Sequence, residues 1–141
     1  MNPVVLALLL AATPPRMTFW GGSVAIPPGC SGPSTVRMNV DWFLGTIVCP
    51  EAQLTIRVAG GMVDSACSPA IGPKPRSARL LTVGGQELLL CNWSPKTDAG
   101  RTETHLAADI GIAHLRADVQ SALAARLFLE VASSYEASGR K

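Results

Sequence analysis

From Val36 onward, apolar and polar residues alternate in short runs separated by turn residues, which is the two-residue period of half-buried strands. In VRMNVDWF (36–43), Val36, Met38, Val40 and Trp42 fall on one side and Arg37, Asn39 and Asp41 on the other. Gly45 permits a bend or bulge, and Thr46-Ile47-Val48-Cys49 continues in β-branched residues. Pro50-Glu51-Ala52-Gln53 predicts a type I turn. Beyond it Leu54, Ile56 and Val58 face in while Thr55 and Arg57 face out, completing a hairpin that Gly60-Gly61 ends. A second hairpin, 79–83 and 86–91, is joined by Gly84-Gly85, which suits a primed turn because glycine accepts the positive φ it demands. After the polar stretch NWSPKTDAGR (92–101), Thr104, Leu106, Ala108 and Ile110 alternate along a fifth strand, 102–110.

The period then changes. Ile112 to Tyr135 holds no Gly or Pro and is dominated by Ala and Leu. At 100° per residue Ala117, Ala124, Phe128, Val131, Ala132 and Tyr135 gather on one side, predicting one long helix. The predicted class is therefore α+β: an antiparallel sheet of about five strands in hairpins, packed by one long C-terminal helix. Val119 and Leu123 fall in that helix's polar arc. Either the rest of the fold covers them, or they form a homodimer surface on the helix.

Between the hairpins, residues 60–78 form a loop rich in Gly, Pro and Ser, in which Pro69, Pro73 and Pro75 forbid a central strand. Loops longer than about 15 residues in a compact domain are functional or pinned. Cys67, in the middle of this one, favours pinning.

Four cysteines, Cys30, Cys49, Cys67 and Cys91, are spaced 19, 18 and 24 residues apart, without a C-x-x-C pair. Zinc-ribbon and thioredoxin-type chemistry rely on that local clip, so no metal and no cofactor is expected. Val4 to Ala12, a nine-residue apolar run, matches a signal-peptide core and is about half the length of a transmembrane span; a buried strand or short helix is its alternative reading. No Lys or Arg precedes the run, and Thr13-Pro14-Pro15-Arg16 supplies no small-x-small cleavage site. Dispersed cysteines behind such a leader predict a disulfide framework and a periplasmic or secreted location; the alternative is four reduced thiols in a cytosolic protein. Four cysteines allow three pairings. If the two hairpins pair in sequence, Cys67 and Cys91 share one end of the sheet while Cys49 lies at the other. Cys67–Cys91 is then favoured, and Cys30–Cys49 requires Gly45 to reverse the chain. The resulting division is a leader over 1–16, an extended Gly/Pro-rich segment over 17–35, one domain over 36–136 and a disordered tail over 137–141.

Charged residues make up only 16% of the chain against roughly 25% in ordinary soluble domains, and the formal charge is +2. The arginines are scattered, so nucleic acid is not an expected partner.

The run Asp41-Trp42-Phe43-Leu44-Gly45-Thr46-Ile47, Pro50, Leu54-Thr55-Ile56 and Gly60-Gly61-Met62, followed by Val83-Gly84-Gly85-Gln86 and His105-Leu106-Ala107-Ala108, resembles a group of small, mostly uncharacterised bacterial exported proteins. The resemblance covers about residues 36 to 135 and implies an antiparallel sheet with a C-terminal helix. It transfers no activity, and the four cysteines and Pro-rich loop depart from its pattern.

Catalytic signatures are absent: no G-x-S-x-G, H-E-x-x-H, P-loop or dinucleotide glycine pattern occurs. On a single strand, His105 and Asp109 stand about 13 Å apart, too far for a hydrogen bond. On the predicted helix, His114 and Asp118 make an ordinary i, i+4 pair. Asp64-Ser65 reads as turn chemistry beside Cys67, and Trp20, Trp42 and Trp93 read as packing before they read as a stacking platform. Asn92-Trp93-Ser94 fits a glycosylation acceptor only formally, with Pro95 behind it. No catalytic residue is nominated. The balance favours a non-enzymatic exported module binding a protein or envelope component. A small secreted hydrolase with dispersed active-site residues and a cytosolic dimerising regulator with reduced cysteines are the alternatives.

Overall fold

The computed structural model describes residues 13–61, 65–68 and 72–138. The apolar run Val4–Ala12, Asp64, Pro69 and the tail residues 139–141 lie outside that set, and with them most of the expected leader. Eight strands build one antiparallel sheet: β3 (Arg37–Met38), β4 (Trp42–Cys49), β5 (Leu54–Gly61), β6 (Ser77–Val83), β7 (Gln86–Asn92), β8 (Lys96–Asp98), β9 (Arg101–Ile110) and β10 (Ala113–Val119). They lie in the order β3-β4-β5-β10-β9-β7-β6, with the short β8 paired to β9. A three-stranded sheet, β1 (Arg16–Phe19), β2 (Gly22–Ala25) and β11 (Glu136–Ala137), and one helix, α1 (Ala122–Ser133), complete the described chain.

This overturns the expected five strands under one long helix. Residues 113–119 are a strand, because Gly111 adopts φ 57 and lets the chain reverse through a two-residue turn that pairs Ala113 with Ile110. Ala113, Leu115, Ala117 and Val119 then alternate inward with period two. The helix begins only after Ser121, whose side chain accepts a hydrogen bond from the Ala124 amide at 3.1 Å, and it is 12 residues long. Val119 is accordingly a buried strand residue, and it shares no helix face with the exposed Leu123.

The hairpin turns follow local chemistry. Pro50–Ala52 make a single 3-10 turn closed by Gln53 at φ 50, and Gly84 and Gly85 both have positive φ. Asn39 ends the 36–43 alternation early: its Oδ1 accepts from the Asp41 and Trp42 amides, and Val40 is left exposed at the turn. The hairpins do not pair in sequence. β10 inserts beside β5 and β9 beside β7, so β6, the next strand in sequence after β5, stands at the sheet edge with β10, β9 and β7 between them.

One face of the large sheet carries Phe43, Ile47, Cys49, Leu54, Ile56, Val58, Ala108, Ile110, Leu115 and Ala117, all buried. Over it lie Met17, Phe19, Val24 and Ile26 from the N-terminal hairpin, and Ala124, Phe128, Val131 and Ala132 from α1. Arg16, expected in the leader, and residues 17–25, expected as extended chain, are thus a core-forming hairpin; Phe19 stacks on Phe43 with centroids 4.8 Å apart. Gly45 makes no bend: a Cβ there would meet Val36 Cγ1 at 2.6 Å and Met17 Sδ at 2.9 Å, so the glycine lets the covering layer approach β4.

Both cysteine pairs stand at disulfide distance, with Cα atoms 4.2 Å apart for Cys30–Cys49 and 5.7 Å for Cys67–Cys91. Cys30 reaches Cys49 without any reversal at Gly45, because Ser31 bridges to Val48 and brings the segment before β3 along the end of β4. The two bridges sit on opposite faces. Cys49 belongs to the main core; Cys91 points to the other face, with Ala66, Cys67, Trp93 and Ala107 in a small satellite cluster.

Candidate functional site

The outer face of the large sheet follows from parity. If Leu115 and Ala117 of β10 point in, then His114, Arg116 and Asp118 point out. On β9 the outward residues are His105, Ala107 and Asp109, and on β5 they are Thr55, Arg57 and Ala59. Antiparallel register sets His114 directly opposite Asp109 and Asp118 directly opposite His105. His105, expected on its strand too far from Asp109 to bond it, and His114, expected to pair with Asp118 on a helix, instead each meet an aspartate across one hairpin. His105 Nδ1 lies 2.8 Å from Asp118 Oδ1, and His114 Nδ1 lies 2.6 Å from Asp109 Oδ1.

The two pairs differ in their surroundings. His114 and Asp109 are 18% and 17% exposed, whereas His105 and Asp118 are 36% and 59% exposed. Asp109 is a hub. Besides His114 it accepts from the Ala66 amide at 2.9 Å, the Cys67 amide at 3.2 Å and the Ser65 hydroxyl. Burial raises its carboxyl pKa, but the hydrogen bonds from His114, Ser65, Ala66 and Cys67 together outweigh burial and hold it below the ordinary carboxylate range. An acceptor engaged by these donors is ionised in the native state, so the Nδ1–H of His114 donates to it. Ser65 donates to the carboxylate and not to a histidine, and therefore lacks the contact a serine nucleophile requires.

That hub fixes the loop. Residues 65–67 are held by Asp109 and by the Cys67–Cys91 bridge, and farther along Trp93 Nε1 donates to the Pro73 carbonyl at 3.0 Å. Trp93 is 9% exposed and meets His105 edge-on, centroids 4.8 Å apart. Trp20 packs edge-on against Phe43 on the opposite face, so the tryptophans form no common platform.

Between the pinned loop and β8–β10 lies a cleft of about 340 Å³ lined by Ala66, Pro73, Trp93, Ser94, Lys96, Glu103, His105, Arg116 and Asp118. Its wall is one buried indole edge; its floor and rim carry both signs of charge. Glu103 is engaged by Gln120 at 3.1 Å, and Asp118 by His105. Among the described residues no cluster of three or more His, Cys, Asp or Glu side chains could hold a metal ion, and no helix is long and apolar enough to cross a membrane. Sequence reasoning nominated no site residue in this cleft. The usable signal was the Gly111-Ile112 turn, which alone determines which aspartate each histidine faces.

Comparisons with protein-family models, with curated proteins and with solved structures returned no match.

Proposed function

We propose that this chain is an exported, disulfide-stapled binding module that takes a small polar ligand in the outer-face cleft. The observation that carries the reading is the preorganisation of the cleft. The loop that walls the cleft is fixed by the Asp109 hub, by Cys67–Cys91 and by the Trp93–Pro73 hydrogen bond, so a ligand meets a formed site and orders little on binding. No hydroxyl or thiol among the described residues donates to either histidine. The cysteine pairs support an oxidising compartment, and with the leader-like N-terminus they support export.

The reading is tested by titrating the full chain with a panel of amino acids, disaccharides and phosphate esters while following backbone amide resonances. Saturable shifts confined to residues 93–96, 103–105 and 116–118, without turnover, are the expected result. No localised shift with any panel member would overturn it.

A second reading, hydrolysis in the same cleft, is favoured by one arrangement: Ser94, His105 and Asp118 all line it, and Asp118 holds the Nδ1 side of His105, leaving Nε2 as the other ring nitrogen. Against it, no hydrogen bond joins Ser94 to His105. Turnover of an ester in the panel that His105→Ala abolishes would replace the first reading with this one.

A further inference from the structure

Arg57 and Arg116 face each other directly across β5 and β10, on the outer side of the sheet. Like charges in that position repel and destabilise a strand pair, so a counter-charge is expected nearby. Four carboxylates stand on the same face, Glu87 on β7, Glu103 and Asp109 on β9 and Asp118 on β10, and Glu103 is engaged by Gln120. Asp109 takes His114, Ser65 and two loop amides, and Asp118 takes His105. Among the described residues no carboxylate lies within ion-pair distance of either guanidinium. Arg116 is partly buried and one of its Nη atoms approaches the Ser65 carbonyl at 3.5 Å, which steadies the group. Arg57 is exposed, and Thr46, its partner on β4, and Thr55, two residues before it, present hydroxyls on the same side.

We infer that Arg57 and Arg116, with Thr46 and Thr55, form a binding site for a dianionic oxyanion of phosphate type. Guanidinium groups offer paired N–H donors that match such oxygens, and flanking hydroxyls donate to those that remain. Arg116 also lines the cleft, so a phosphorylated ligand would place its anion on the arginines and its polar body against His105 and Lys96. The inference rests on the cleft reading only for that second half. The arginine site stands by itself.

The test is a titration of the full chain with inorganic phosphate, against sodium chloride at matched ionic strength, read from backbone amide resonances. Saturable shifts at residues 46, 55, 57 and 116 are expected with phosphate and not with chloride. Arg57→Gln should weaken them about tenfold or more, the loss of a charge-assisted pair of hydrogen bonds. Arg57→Glu should abolish them and raise the melting temperature in phosphate-free buffer, since it replaces repulsion with a cross-strand ion pair. Linear shifts equal for the two salts, or saturable shifts that Arg57→Gln leaves unchanged, would overturn the arginine site. In the second case, shifts confined to 94–96 and 103–105 would leave the cleft reading standing. A cleft that binds nothing beside a working arginine site would remove the cleft reading alone.

Discussion

The two faces of the large sheet are made of the same strands and differ only by residue parity, yet they are organised on opposite principles. On the inner face, β4, β5 and β10 present residues 0–7% exposed, sealed by a second sheet and by α1. The apolar area they remove from water is the main stabilising term of the fold. On the outer face the same three strands present Thr, Arg, His and Asp, partly or fully exposed, and order comes from polar contacts and a disulfide. Order on the inner face comes from volume and shape, with Gly45 and Gly60 leaving room for Met17 and Phe43; order on the outer face comes from side-chain pairs set by register. A one-residue slip of β10 would separate both His–Asp pairs together. Fold and site can therefore be perturbed separately.

Phe128→Ala should have the largest effect. The ring is fully buried between helix and sheet, and its loss should cost about 3–5 kcal/mol by urea denaturation. A cost below about 1 kcal/mol would mean that the covering layer contributes little and would erase the contrast. Next comes the double substitution C67A/C91A, which removes the outer-face bridge. A loss of about 2–4 kcal/mol is expected from release of the unfolded chain, with faster amide exchange at 65–68 and unchanged exchange on β4 and β5.

Asp109→Asn is the third. It takes a charged acceptor away from partly buried donors and should cost about 1–3 kcal/mol at neutral pH. Its pH dependence has a defined sign. The native carboxyl is held below the ordinary range, so its stabilising contribution is complete above the unfolded-state value of about 3.9 and is lost as pH falls through the lower native value. The gap between the unsubstituted protein and the asparagine variant should stay constant from neutral pH down to about pH 5 and close below about pH 4. A gap that closes above pH 5 would show that ionisation of Asp109 is not what holds the loop.

How much of this was legible in the sequence depended on whether the determining signal was local. The β4–β5 and β6–β7 hairpins were readable because Pro50 and Gly84-Gly85 fix their turns within a few residues. β10 was not, because Ala113, Leu115 and Ala117 are strong helix formers running without a break into the Ala- and Leu-rich α1, and tertiary pairing with β5 and β9 overrode that propensity. The same misreading hid the site. With 112–135 as helix, His114 looks along its axis to Asp118 and His105 has no partner within reach on its own strand; the turn at Gly111 gives each an aspartate across the hairpin. The hairpin over 16–25 was missed although Trp20 and Gly21, the latter at φ 73, carry its turn. Cys67–Cys91 was favoured on a strand order that proved wrong. The pair forms because Ala66 and Cys67 lie against Asp109 of β9, beside Cys91 of β7.

The smallest expected effect belongs to the cleft and the neighbouring arginine site and bears on the central claim that the outer face binds while the inner face folds. Arg57→Gln, His105→Ala and Asp118→Ala combined in one chain touch only exposed or half-exposed groups, where substitutions away from caps and cores usually change stability little. The direct measurement is the urea-denaturation free energy of this triple variant beside that of Phe128→Ala. The account predicts a triple variant within about 1 kcal/mol of the unsubstituted protein, with its phosphate-dependent resonance shifts weakened about tenfold or more. A triple variant as destabilised as Phe128→Ala would contradict it, because the outer polar face would then be holding the fold together.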